Sequence, residues 1–275
     1  MILCLDIGAT SIRAAWVSGK TVKEKKVIAT PKTKKQITNG IFGLIDSYAK
    51  PTGLCLGVAS FIKNNTTFNT CNLNFADVNL KKLLQARYRL PVYVDNDANC
   101  AGLGELRYGH ARGRTNLFLI TLGTGIGGAV IINGQLYYGN GMAGEPGQML
   151  FGGKKLEKLA SGPAATEMAK KIGLGNLNNQ QLKLLADQGN QQALLIFKTI
   201  GEYLGVGLLN ASYILDPEII IVGGGFSHIP YVLASANKVL KEKDVIQRNI
   251  KIVRAKLGDD AGLIGAALLQ NLKSS

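Results

Sequence analysis

Residues 116–132 read NLFLITLGTGIGGAVII. Asn116 to Leu122 is a largely apolar run that reads as a strand. Gly123-Thr124-Gly125-Ile126-Gly127-Gly128 reads as a turn, and Ala129 to Ile132 as a second strand. Asn133-Gly134 then has the composition of a tight hairpin turn. Four glycines and one threonine in six residues leave two readings open. One is a plain hairpin. The other is a phosphate cradle, because glycines let backbone N–H groups approach an anion closely and a hydroxyl adds a donor.

The same order opens the chain. Ile2 to Ile7 and Ile12 to Val17 read as strands around the turn Gly8-Ala9-Thr10-Ser11, and Thr21 to Ala29 continues as a third strand. A strand, a Gly/Thr turn and a returning strand, met twice, form a weak internal repeat in which each half offers a phosphate-facing hairpin. Helical spacing of Ile37, Ile41, Leu44 and Ile45 predicts a helix over Gln36 to Ala49. Leu54 to Ala59 reads as a strand, Leu80 to Tyr88 as a helix, and Val92 to Val94 as a strand entering Asp95-Asn96-Asp97-Ala98-Asn99. Ala98 to Gly109, Pro163 to Ile172 and Gln191 to Ile214 read as helices, and Glu218 to Val222 as a strand ending in Gly223-Gly224-Gly225. Ala261 to Leu272 reads as an apolar helix in which Gly262 and Gly265 allow close packing. No linker separates the halves. The expectation is two α/β lobes facing a cleft: an N-terminal lobe of residues 1–113, joined by the C-terminal helix 261–275, and a larger lobe of residues 114–260.

The 275 residues are 46% hydrophobic and 18% charged, which supplies a full core and argues against disorder. No basic leader precedes the first apolar run, which Asp6 ends, and no stretch reads as a bilayer span, so the expected location is the cytoplasm, with no membrane partner. Cys4, Cys55, Cys71 and Cys100 form no Cys-x-x-Cys pair and read as reduced, buried thiols. The net charge of +14 raises nucleic acid as a partner, but the lysines are scattered and no aromatic-interleaved basic stripe appears, so none is expected.

Asp6 closes a buried strand beside the first turn, where a carboxylate either holds Mg²⁺ through water or caps its own turn. Asn96 and Asp97 at a strand end offer an amide for a sugar hydroxyl and a base for its proton, or they start a helix. Glu145, among glycines, and Glu157 are carboxylates able to accept hydroxyl protons, or plain surface acids.

In combination and order these segments resemble the ROK family (repressors, open reading frames and kinases) of the actin-like, ribonuclease H-like ATPases. The likeness extends over nearly the whole chain. Asp6-Ile7-Gly8-Ala9-Thr10 is similar to the first phosphate loop, with Ala9 where glycine is usual. Gly57-Val58-Ala59 is similar to the sugar-facing strand end without its Pro-Gly. Asn96-Asp97-Ala98-Asn99 resembles the catalytic segment and Leu122 to Gly128 the second phosphate loop. Ala143 to Gln148 and Glu157 to Gly162 resemble the sugar signature, and Asp216 to Gly225 the adenosine strand and loop.

The resemblance implies an ATP-dependent hexose kinase with Asp97 as general base on O6. Asn96, Glu145, Gln148 and Glu157 would fix the sugar. Asp6, through Mg²⁺, with Gly8, Thr10, Gly123, Thr124, Gly125, Gly127, Gly223 and Gly224 would hold the nucleotide. Glucose is the first substrate expected, then N-acetylmannosamine, then a β-glucoside; a non-catalytic sugar-sensing regulator is the alternative of another class. A homodimer is the expected assembly. Gln148 stands where the family's zinc-bound His is usual and the three following cysteines are absent, so no zinc is expected and the pocket should differ near the anomeric carbon. The family's repressors carry a helix-turn-helix region ahead of the first loop; here that loop begins at residue 6, so none is expected.

Overall fold

The computed structural model describes residues 1–68 and 73–272; Cys71 lies outside them. In chain order the elements are β1 (Ile2–Ile7), β2 (Ser11–Ser18), β3 (Thr21–Ala29), α1 (Lys34–Asp46), β4 (Gly53–Val58), β5 (Phe61–Lys63), β6 (Thr66–Phe68), β7 (Val78–Asn79), α2 (Leu80–Tyr88), β8 (Val92–Asn96) and α3 (Asp97–Tyr108). They continue as β9 (Leu117–Leu122), β10 (Ile126–Ile132), β11 (Gln135–Leu136), β12 (Leu150–Phe151), β13 (Lys154–Lys155), α4 (Gly162–Lys171), α5 (Asn179–Asp187) and α6 (Gln191–Leu215). The last are β14 (Ile219–Gly223), α7 (Pro230–Lys243), β15 (Ile252–Arg254) and α8 (Ala261–Ala266).

The chain divides into two compact units. Unit 1 comprises Met1–Gly113, Leu136–Ala143 and Lys256–Ser275; unit 2 comprises Arg114–Gln135 and Gly144–Ala255. Each is built on a five-stranded sheet, ordered β3-β2-β1-β4-β8 and β11-β10-β9-β14-β15. In both, the first strand of the set lies in the middle, antiparallel to the second and parallel to the fourth, and the fourth is parallel to the fifth. The internal repeat is thus a repeat of sheet topology.

Alternation along β1 assigns the two faces of the first sheet. Leu3, Leu5 and Ile7 pack with Ile37 and Ile41 of α1 and Leu80 and Leu84 of α2. Cys4 faces the other way, with Cys55, Cys100 and Leu103 of α3, and Leu263 and Ile264 of α8. Cys4, Cys55 and Cys100 are buried free thiols. α3 and α8 meet backbone to backbone: a Cβ on Gly265 would overlap the Cys100 carbonyl oxygen, and one on Gly104 would lie 2.8 Å from the Ala261 carbonyl oxygen. Glu105, fully buried on α3, accepts the Leu257 and His110 N–H groups at 2.7 and 2.9 Å and so fastens the chain that returns to form α8. In unit 2, Phe118, Ile120 and Leu122 of β9 pack with Phe197, Ile200, Leu204 and Leu208 of α6. Alone among the described helices, α6 is long and apolar enough to cross a membrane, which the sequence reading missed. It is 56% buried over its apolar window, as a core helix is.

Three element boundaries differ from expectation by three residues or more. α1 stops at Asp46 because Ser47 turns its hydroxyl and N–H back onto the Leu44 carbonyl, at 2.7 and 3.2 Å, closing the last turn. The C-terminal helix is broken: α8 ends at Ala266, and a separate 3₁₀ turn covers Leu269–Asn271. The glycine turn shrinks to Gly123-Thr124-Gly125, since Ile126, Gly127 and Gly128 already pair with Leu122, Thr121 and Ile120. Asn133 (φ 52°) and Gly134 (φ 76°) form the left-handed pair of the expected hairpin turn.

Candidate active site

In unit 1 the parallel strands β1, β4 and β8 place Asp6, Gly57 and Asp95 in one row, with Asn96 beside Val58. Asn96 caps α3: its Oδ1 accepts the N–H groups of Ala98 and Asn99 at 2.8 and 3.1 Å, and its Nδ2 donates to the Ser60 carbonyl at 3.1 Å. The helix-start reading of this residue holds, and one amide hydrogen is left after the cap is made. Asp97 opens α3, its Oδ1 accepting the Ala98 N–H at 2.9 Å. Burial pushes its carboxyl up to about 6 against the backbone donors that lower it. Gly57 lets α3 come this close, as a Cβ there would lie 3.2 Å from Cys100 Sγ and 3.4 Å from Asp97 Cα.

Asp6 shares the α3/α8 face with Cys4. Burial first, then the charge of Asp97, raises its carboxyl to about 7, while Arg13, 3.7 Å away on β2, pulls it down. Gly262 lies beside it, with space for a Cβ only 3.4 Å from Asp6 Cγ. The adjoining turn is drawn tight by the Gly8 N–H to the Ser11 carbonyl, 3.0 Å, and by the Thr30 hydroxyl to the Gly8 carbonyl, 2.7 Å, which leaves Thr10 exposed.

In unit 2 the turn Gly123-Thr124-Gly125 joins β9 to β10 and is closed by the Gly123 N–H to the Gly125 carbonyl, 3.0 Å, with Thr124 exposed at its tip. The first N–H of α4, on Gly162, donates to the Gly123 carbonyl at 3.0 Å. Next to the turn, Gly223 ends β14 opposite Thr121. Gly224 (φ 81°) rests so close on Leu122 that a Cβ would overlap the Leu122 carbonyl oxygen. Two glycine-lined loops thus sit side by side at the carboxyl ends of parallel strands, where α/β sheets commonly take ligands. Gly127 and Gly128 belong to the strand instead. Gly128 leaves room for the Gly144 carbonyl and Pro146, and Gly147 lies against the Ile126 carbonyl, so the sequence Gly144-Glu145-Pro146-Gly147 is laid along β10.

That segment enters a 3₁₀ turn, Pro146–Gln148, which packs on a second, Leu156–Lys158. The Leu156 N–H donates to the Met149 carbonyl at 2.8 Å, and so Glu145, Gln148 and Glu157 are gathered in one place. Glu157 is 8% exposed, and its carboxylate makes no hydrogen bond or ion pair among the described residues. A carboxylate that finds no protein partner on an otherwise buried residue is a candidate for pairing with a ligand.

Asp6 and Asp97 are hard oxygen donors, the type Mg²⁺ uses when it is held by one or two carboxylates, water and phosphate. Among the described residues no group of three or more His, Cys, Asp or Glu is placed to hold a metal, and Gln148 offers no soft donor. Elemental analysis of chelator-free protein is expected to find zinc far below stoichiometric. Stoichiometric zinc lost on Gln148→Ala or Glu145→Ala would overturn that. The sequence reading missed Arg13, Glu105 and Tyr138, whose hydroxyl donates to Asp95 Oδ2 at 2.7 Å. Counting across the first hairpin, where Asp6 pairs with Arg13, would have found the first of these; no local signal marks the other two.

Two topologically equal sheets, each with a glycine turn between its first strands and acidic or glycine-rich strand ends, define an actin-like ATPase fold. A family model described as the ROK family matches residues 2–272. A glucokinase of Halalkalibacterium halodurans is 33% identical, across 96% of this chain and 93% of its own. The crystal structure of a ROK family glucokinase from Streptomyces griseus in complex with glucose and AMPPNP covers 98% of both chains, with TM-score 0.88 and 29% identity. The xylose repressor of Bacillus subtilis is 31% identical over 71% of this chain and 54% of its own. The chain belongs to the ROK family.

Proposed function

We propose that this chain is an ATP-dependent hexose kinase that moves the γ-phosphoryl of ATP to a sugar hydroxyl, with glucose the first substrate and O6 the acceptor. The carboxylate of Glu157, on a largely buried residue and without a protein partner among the described residues, carries the sugar reading, since a sugar hydroxyl can supply the donor. The similarity to glucokinases supports it. Asp97 takes the proton of the attacking hydroxyl, and its raised carboxyl, near 6, keeps it both ionised and usefully basic at neutral pH. Asn96 contributes its spare amide hydrogen, and Glu145, Gln148 and Glu157 take sugar hydroxyls. Thr10, Thr124 and Gly125 offer N–H and hydroxyl donors to the phosphates on turns closed by the Gly8 and Gly123 N–H groups, and Gly223 and Gly224 bound the nucleoside. Asp6, directly or through water, would hold Mg²⁺, which would supply positive charge against the phosphates. Positioning and electrostatics supply most of the rate in such transfers. The location proposed is the cytoplasm.

A coupled ADP-release assay over hexoses, amino sugars and β-glucosides tests the reading, and no turnover with any of them would overturn it. The Gln148 amide makes no hydrogen bond among the described residues, and holding it on a ligand costs up to roughly 2 kcal/mol of rotamer freedom. Recognition near C1 is therefore the permissive end. Mannose, 2-deoxyglucose or methyl β-glucoside is expected to keep a larger share of the glucose kcat/KM than galactose does. Galactose outperforming all three would show that the pocket is assigned wrongly or the sugar lies in another orientation.

A further inference from the structure

Asp95 is 6% exposed and has no cation within ion-pair distance among the described residues. Three hydrogen bonds satisfy it instead. Its Oδ1 accepts the Asn96 N–H at 2.7 Å and the Asn99 amide at 2.8 Å, and its Oδ2 accepts the Tyr138 hydroxyl at 2.7 Å. The first two donors belong to the turn that carries Asn96 and Asp97 from β8 into α3; the third comes from 43 residues along the chain. Burial pushes the Asp95 carboxyl up, and the Asn99, Tyr138 and Asn96 donors each hold it down.

Tyr138 is itself fixed. Its carbonyl accepts the N–H groups of Gly141 and Ala143, at 2.8 and 3.2 Å, and Gly139 (φ 54°) and Gly141 (φ 94°) supply the left-handed backbone that this closure needs. The residue is 42% exposed while its hydroxyl reaches a buried carboxylate. A side chain anchored at both ends, giving its one proton to the residue before Asn96-Asp97, is built to hold something still.

We infer that Tyr138 is a positioning residue for the transfer step: through Asp95 it fixes the β8–α3 turn on which Asn96 and Asp97 are presented. The inference rests on the kinase reading above. Without the hydroxyl, Oδ2 of a buried carboxylate loses its donor, and the Asp95 side chain turns to find another, which loosens the hold of Oδ1 on the Asn96 N–H and Asn99. A base displaced by a fraction of an ångström loses rate, whereas substrate contacts made elsewhere persist.

The experiment is steady-state kinetics on Tyr138→Phe, Asp95→Ala and the double variant, with Tyr137→Phe as control and unfolding midpoints measured in parallel. Tyr138→Phe removes one oxygen from a half-exposed ring. It is expected to lower kcat about 10–100-fold, with KM for ATP and for glucose within about twofold of wild type, and Tyr137→Phe is expected to match wild type. In the Asp95→Ala background the Tyr138→Phe change should have no further effect, which a separate structural or ligand-contact role would not give. If Asp95→Ala does not fold, the split between kcat and KM in Tyr138→Phe decides. An unchanged kcat in Tyr138→Phe, a rise confined to KM, or multiplying effects in the double variant would overturn this inference and leave the kinase reading standing. A wild-type chain that phosphorylates no sugar overturns both.

Discussion

Asp97→Asn should fold more stably than the native chain and turn over hardly at all. The amide keeps the acceptor that binds the Ala98 N–H but cannot take a proton from the attacking hydroxyl. The expected loss in kcat is on the order of 10²–10⁴-fold, with sugar affinity retained. The stability gain has the same origin. Burial raises the Asp97 carboxyl well above the ordinary aspartate range, to about 6, so the folded chain binds this proton more tightly than the unfolded one. Above pH 6 the native fold bears an unfavourable charge; acidification toward pH 4 relieves it. An uncharged amide at 97 should therefore stabilise the protein by on the order of 1–3 kcal/mol at pH 8, and the advantage should vanish near pH 4. Activity runs the opposite way: kcat/KM of the native chain should fall tenfold per unit of pH below an acid limb at about 6 or lower, as cations near Asp6 favour the ionised base. Denaturation at the two pH values and kinetics on the variant check both halves. Near-native kcat, or no pH-dependent stability difference, would remove Asp97 from the role given it.

Gly265→Ala is expected to be the most disruptive single methyl in unit 1. The added carbon would overlap the Cys100 carbonyl oxygen, which belongs to the backbone of α3 and cannot swing aside as a side chain would. α8 must then move off α3, opening the packing of Cys4, Cys55, Leu103, Leu263 and Ile264. Overpacking of this kind costs about 3 kcal/mol or more. Because Asp97 begins α3 and Gly262 flanks Asp6, turnover should fall with stability. Gly43→Ala is the matched control. It is exposed on α1 with nothing within 4 Å of the new carbon, so it should stabilise by about 0.5–1 kcal/mol. Urea unfolding of the two variants separates the outcomes, and a Gly265→Ala protein as stable as wild type would contradict the backbone contact.

What could be read from sequence was whatever repeats within a few residues. Ile37, Ile41, Leu44 and Ile45 announce one face of α1, and Leu3, Leu5 and Ile7 one face of β1, because burial imposes periods of 3.6 and 2. Asp97 and Asn96 were legible for their place at a strand end in a known order of motifs. The glycines of residues 123–128 were harder. Composition alone does not separate those that bend a turn from Gly128, which only makes room for Gly144 and Pro146. Long-range partners were invisible. The Glu105 carboxylate takes an N–H from 152 residues away and Asp95 a hydroxyl from 43, and nothing near either residue signals the match. The end of α1 turned on one serine hydroxyl, a competition between side chain and backbone that periodicity does not record.

Unit 1 is assembled from three stretches of chain, the last of them Lys256–Ser275. A ribosome makes most of that unit first, yet α3 cannot cover its glycine-lined groove until α8 has emerged, more than 150 residues later. Unit 2, by contrast, needs nothing beyond Ala255. In the growing polypeptide the later-made half can finish first, while the earlier one waits with Cys4, Cys55 and Cys100 uncovered. Nascent chains stalled before Lys256 should accordingly expose those thiols to alkylation, and the released protein should bury them.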